Sequence, residues 1–132
     1  MVKKRRENGE IVETQEPVTI ESTTPQDDKL RTCLEEIQNY TGIVGYIMKN
    51  TASASIDMKD PGKIVEYAIL SSTSFETTEE FSKLFEIGNF KNITVNGKDL
   101  KMLSLNIDEN NVSIFMEKTV ETEKIMKKLQ FV

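Results

Sequence analysis

The stretch TGIVGYIMKNTASASI, Thr41 to Ile56, divides into two unlike halves. Its first half is almost unbroken apolar chain. Ile43, Val44, Tyr46, Ile47 and Met48 leave no polar face before Lys49, the pattern of an interior strand covered on both sides. Gly45 weakens such a strand but lets another backbone or a helix approach closely. The second half alternates Ala52, Ala54 and Ile56 with Ser53 and Ser55 across Asn50-Thr51, and so predicts a hairpin whose thin second strand lies at an edge or under a closely packed helix.

Working outward, Asp27 and Asp28 are placed to cap a helix whose Leu30, Leu34, Ile37 and Thr41 recur at helical spacing, with Cys33 beside the stripe and Gly42 as the stop. After the hairpin, Asp60 as N-cap, Pro61 at the first helical position and Gly88 as the C-terminal glycine frame one long helix. Its expected inward stripe is Ile64, Ala68, Ser71, Phe75, Thr78, Phe81 and Phe85. The hydroxyl-rich centre Ser71 to Ser74 is a poor helix former and the place for a kink. A meander follows: FKNITV, a turn at Asn96-Gly97, LKMLSLNI with Leu103, Leu105 and Ile107 on one face, a turn in DENN, and VSIFMEK with Val112, Ile114 and Met116 opposite Ser113 and Phe115. Thr119 or Glu121 then starts a last helix with Thr122, Ile125, Met126 and Leu129 inward. The order is α-β-β-α-β-β-β-α.

The chain has 132 residues, room for one domain with a modest core. Residues 1–26 are basic at Lys3 to Arg6, then acidic and Ser/Thr/Pro-bearing. They form an expected disordered N-terminal tail ahead of a domain over 27–132, with EPVTIE as a transient edge strand. A net charge of -5 gives no general help toward nucleic acid or an anionic membrane, and KKRR is the one local basic run. The single cysteine, Cys33, excludes an intramolecular disulfide and reads as a buried packing residue. Neither a membrane span nor a secretory signal is present, so a reducing, cytoplasmic setting without membrane insertion is expected.

Histidine is absent, which removes the commonest general base and metal ligand. PGK at 61–63 and NGKD at 96–99 lack the spacing of a phosphate loop and read as turns. Glu76, Glu79 and Glu80 read as a solvated helix face. No catalytic residue, metal ligand or cofactor is expected.

With this order laid out, LEEIQNYTGIVGYIMKN, the helix PGKIVEYAILSSTSFETTEEFSKLFEIG and ITVNGKDLKMLSLNIDENNVSIFMEK together resemble the Roadblock/LC7 family, over roughly Leu30 to Leu129. One departure is Asn50-Thr51, where family members often carry an Asp-Gly type turn. The resemblance implies an α+β fold: a five-stranded antiparallel sheet with the first and last helices on one face and the long helix on the other. It further implies a dimer in which two long helices pair antiparallel and two third strands join, and a scaffold or regulator of small Ras-like GTPases, not an enzyme. Arg31, the only arginine outside the tail, is poorly suited to reach a partner's phosphates. The expected dimer interface is Ile64, Val65, Tyr67, Ala68, Ile69, Leu70, Ser71, Phe75, Ile93 and Val95, facing a second copy or a paralogue. Two other readings stay open: a small-molecule-binding sensor domain, and an adaptor whose N-terminal tail does the binding.

Overall fold

A computed structural model of the chain describes residues 25–130, and side chains from Asp28 onward. Expectations for the tail over residues 1–24, including the strand in EPVTIE, lie outside the described residues. The first helix, α1 (Pro25–Gln38), already includes Pro25 and Gln26, so Asp27 and Asp28 sit within its first turn and not at its cap. It stops four residues before Gly42, and Thr41 is an exposed turn residue outside the stripe.

The strands β1 (Ile43–Lys49), β2 (Ala54–Met58), β3 (Ile93–Asn96), β4 (Leu100–Ile107) and β5 (Asn110–Glu117) form one sheet in the order β2-β1-β5-β4-β3, antiparallel throughout. Between β2 and β3 run a single 3₁₀ turn, Pro61–Lys63, and the long helix α2 (Ile64–Leu84); α3 (Thr122–Leu129) closes the order. The expected thin strand is thus the edge strand β2, displaced two residues from the expected ASASI toward Met58.

β1 explains why its apolar run has no polar face. Its register against β5 passes from Ile43↔Met116 to Gly45↔Phe115, so a bulge at Val44 shifts the alternation by one residue. Ile43, Tyr46 and Met48 therefore share the core under α1 and α3 with Leu30, Leu34, Ile37, Leu103, Val112, Ile114, Met116, Ile125 and Leu129. Val44 and Ile47 join the second core with Met58, Met102 and Phe115, against Ile64, Tyr67 and Ala68 of α2. Gly45 is needed for a close approach, though not to a helix. A Cβ there would lie 2.6 Å from the Asp57 carbonyl oxygen and 2.9 Å from Met58 Cα, so the neighbour is the β2 backbone.

α2 is one uninterrupted helix through Ser71–Ser74. Asp60 caps the preceding turn, its carboxylate accepting from the Gly62 amide at 3.0 Å. The hydroxyls of the helix centre have partners below. Ser113 Oγ lies 2.6 Å from both Ser71 Oγ and Ser104 Oγ, a buried chain that joins α2 to β5 and β4. The helix ends before Gly88: Phe85 is the C-cap and Glu86 takes the left-handed conformation at φ 54°. The Ile87 amide donates to the Ser82 carbonyl at 3.2 Å and the Glu86 amide to that of Lys83 at 3.4 Å, the paired bonds of a Schellman ending.

The tight turns hold the far end of the sheet. Asp108 and Glu109 both have positive φ, 48° and 68°, and link β4 to β5 in two residues. Beside them Asn110 is buried and accepts from Asn50 Nδ2 at 2.8 Å, while Asn50 Oδ1 accepts from the Ala52 and Ser53 amides, each at 2.8 Å. The two hairpin turns are thereby tied together.

Candidate protein interface

Steps along α2 match steps along β5. Tyr67 stacks on Phe115 with ring centroids 4.6 Å apart, Ser71 meets Ser113, and Phe75 shares a groove with Asn111. Four helical residues rise about 6 Å and two strand residues about 7 Å, so the two elements stay in step. β5 begins at Asn110, however, and α2 continues to Leu84. Its last two turns overhang the sheet.

This geometry sorts the expected interface residues into two sets. Val65, Ile69 and Leu70 stand on the outer side of α2, with Val65 72% and Ile69 62% exposed. Ile64, Tyr67 and Ala68 instead pack into this chain's own second core, and Ser71 and Phe75 are buried, so these five face the sheet and have little surface left for a partner. Val95 packs against the same core and Ile93 is half-buried beside it on β3. Phe81 and Phe85, expected to face inward, are exposed because they lie on the overhang.

The outer stripe therefore reads Val65, Ile69 and, one end further, Leu84, which is 73% exposed. Thr73 and Thr77 lie between, and at about 100° per residue the exposed Glu66, Glu76 and Glu80 fall on the same face. A groove of about 300 Å³ beside it is lined by Tyr67, Leu70 and Val95 and leads to β3. β3 pairs only with β4 and is an edge of the sheet, so one row of its amides and carbonyls faces outward. The exposed apolar helix stripe thus stands next to an open strand edge.

Chemistry elsewhere is sparse. Among the described residues no group of Cys, Asp and Glu could hold a metal ion, and no helix is long and apolar enough to cross a membrane. Cys33 is buried, its Sγ 3.6 Å from the Lys128 carbonyl oxygen, and burial pushes its thiol pKa up, away from the reactive thiolate. Arg31 holds Asp28 at 3.6 Å while its Nε and Nη2 are buried, so the guanidinium is tied to its own helix. Burial pushes the Tyr46 phenol up to about 12, the Asp57 carboxylate adding to the rise and the Ser55 hydroxyl opposing it.

No family model matches the chain, and no curated protein matches it in sequence. Solved structures do match in fold. A Roadblock/LC7 domain from Streptomyces avermitilis superposes with a TM-score of 0.62 at 11% identity, over 79% of this chain and 88% of that one. The gliding protein mglB from Thermus thermophilus superposes with a TM-score of 0.63 at 14% identity, over 88% and 90%. The chain has a Roadblock/LC7-like fold, with the sheet and helix layers that the sequence resemblance implied.

Proposed function

We propose that this chain is a non-enzymatic homodimeric scaffold that binds and regulates a small Ras-like GTPase in the cytoplasm. The observation that carries the reading is the exposed stripe Val65, Ile69 and Leu84 beside the open β3 edge. A two-fold axis passing between Ser74 and Phe75 brings Val65 of each copy opposite Leu84 of the other. Thr73 and Thr77 then lie near the axis, small enough for close approach. The same axis lets β3 pair with its twin, which removes the edge and yields one continuous sheet. The paired helices form a composite face, and the resemblance to Roadblock/LC7 domains supports a GTPase as its partner. The role is contact and positioning, with no residue of this chain assigned to hydrolysis.

The test is calorimetric titration of purified small Ras-like GTPases, loaded with GDP or with a GTP analogue, into the full chain and into Ile69→Glu. Saturable binding that the substitution abolishes supports the reading. Binding of equal strength to both proteins, or to neither, rejects it.

A further inference from the structure

The sheet has a second edge. β2 pairs only with β1, and it carries no bulge, proline or lysine to discourage a further strand. The phase of its ladder is fixed at both ends: the Asn50 amide donates to the Ser53 carbonyl at 2.9 Å and the Lys59 amide to that of Val44 at 3.0 Å. Bonded pairs recur at every second residue, so Met48/Ser55 and Tyr46/Asp57 are the bonded pairs between them. Ala54, Ile56 and Met58 therefore direct their N–H and C=O groups outward, away from β1.

The two faces of this edge differ. Toward α2, Ala54 and Ile56 are half-buried and line a groove of about 160 Å³ with Ile47, Ala68 and Phe75. Toward α1, Gln38 roofs the layer, its Nε2 donating to the Asp57 carbonyl at 3.4 Å. The Ser55 hydroxyl and the Tyr46 phenol neighbour each other in this layer, each residue 1% exposed and neither group within hydrogen-bond geometry of a partner among the described residues. An added strand must bring an apolar residue beside Ile56 and an acceptor beside Ser55. β2 itself meets both needs. In an antiparallel pair of two β2 strands about a two-fold axis through Ile56, Ile56 faces its own copy, Ala54 faces Met58, and Ser55 faces the half-buried Asp57 at about 5 Å between Cβ atoms. Each Ser55 hydroxyl then has a carboxylate to donate to. The two Asp57 groups stay about 8 Å apart, near the screening length of physiological salt.

We infer that β2 is a self-association edge, to which a second copy of this chain adds its own β2 antiparallel about a two-fold axis through Ile56. The layers allow it. α1 packs on β1 and α2 stands over β5, so strands about 4.8 Å apart set the two α1 helices about 14 Å and the two α2 helices about 24 Å from each other. Both distances exceed the roughly 8 to 10 Å of packed helices, and nothing in these layers collides. The contact lies at the opposite edge from β3 and does not rest on the pairing of α2. A molecule that uses both edges continues the sheet beyond one dimer.

Hydrogen exchange tests this on the full chain carrying Ile69→Glu, which removes the pairing of α2 from the measurement. The amides of Ala54, Ile56 and Met58 are the readout, and those of Ser55 and Asp57, bonded within the chain, report an intact hairpin. Between about 10 µM and about 1 mM, the range of a small transient interface, the outward amides should slow roughly fivefold while Ser55 and Asp57 hold constant. Ile56→Pro deletes one outward N–H and no bond to β1, and should abolish the concentration dependence at Ala54 and Met58. Asp57→Ala keeps every backbone bond and removes the acceptor for Ser55. It should weaken the dependence, and it decides the matter where the proline variant loses protection at Ser55 and Asp57. Outward amides that exchange fast at every concentration leave the edge bare and overturn the inference. So do outward amides that are slow at every concentration, which assigns the cover to the same chain, or a concentration dependence that survives both variants.

Discussion

Glu86 holds a left-handed φ of 54° at the end of α2, where an L side chain costs roughly 1 kcal/mol that glycine avoids, and its carboxylate faces the negative end of the helix dipole. Glu86→Gly should raise stability by about 0.5 to 1 kcal/mol in denaturant unfolding, and an unchanged or lower midpoint would contradict the strain. The glycine stop expected at Gly88 falls two residues late, because Gly88 also has a positive φ, 79°, and sequence cannot say which of two neighbours ends the helix. Tyr46 offers a second check. Its folded pKa is raised to about 12 chiefly by burial, so the folded state holds the proton after the unfolded chain, near pH 10, has lost it. The sign follows: stability is fully present below pH 10 and falls as pH rises toward 12. Tyr46→Phe should remain within about 1 kcal/mol of the parent at neutral pH and flatten this alkaline decline. An identical decline in both proteins would assign it to other groups, Lys128 among them, whose ammonium is held protonated by its hydrogen bond to Glu36.

At the level of elements, α2 joins the sheet through a hydroxyl chain where a packed apolar seam would be usual. Ser113 bonds both Ser71 and Ser104, and all three are buried, so Ser113→Ala leaves two hydroxyls without their partner and should cost about 1 to 3 kcal/mol. Replacing all three serines by alanine should cost less than the sum of the three single changes in thermal or denaturant unfolding. Additive losses would deny that they act as one network. Much of this layering was legible in the sequence. The polar-free run Ile43 to Met48 announced a strand covered on both faces, and the alternations in β4 and β5 assigned Leu103, Leu105, Val112 and Ile114 to one core. The phase of α2 was less legible. With apolar residues on several sides, its inward face is fixed by the sheet beneath it, and Tyr67 turned to Phe115 while Phe81 and Phe85 passed beyond the sheet's end. The bulge at Val44 had no sequence signal beyond Gly45, since a shift of register shows only when two strands are paired.

For the whole molecule, the central claim is that two copies pair through α2 and β3 and so form the surface that a GTPase meets. The seam is apolar at Val65, Ile69 and Leu84, and the two-fold axis sets Glu66, which pairs with Lys63 at 3.4 Å, opposite Lys83 of the other copy. The most direct measurement is sedimentation equilibrium of the full chain and of Ile69→Glu at high micromolar concentration. The account predicts twice the chain mass for the parent and the chain mass for the variant, whose cooperative unfolding is retained because Ile69 stands outside both cores. A parent that sediments at the mass of one chain, in both low and high salt, would contradict it.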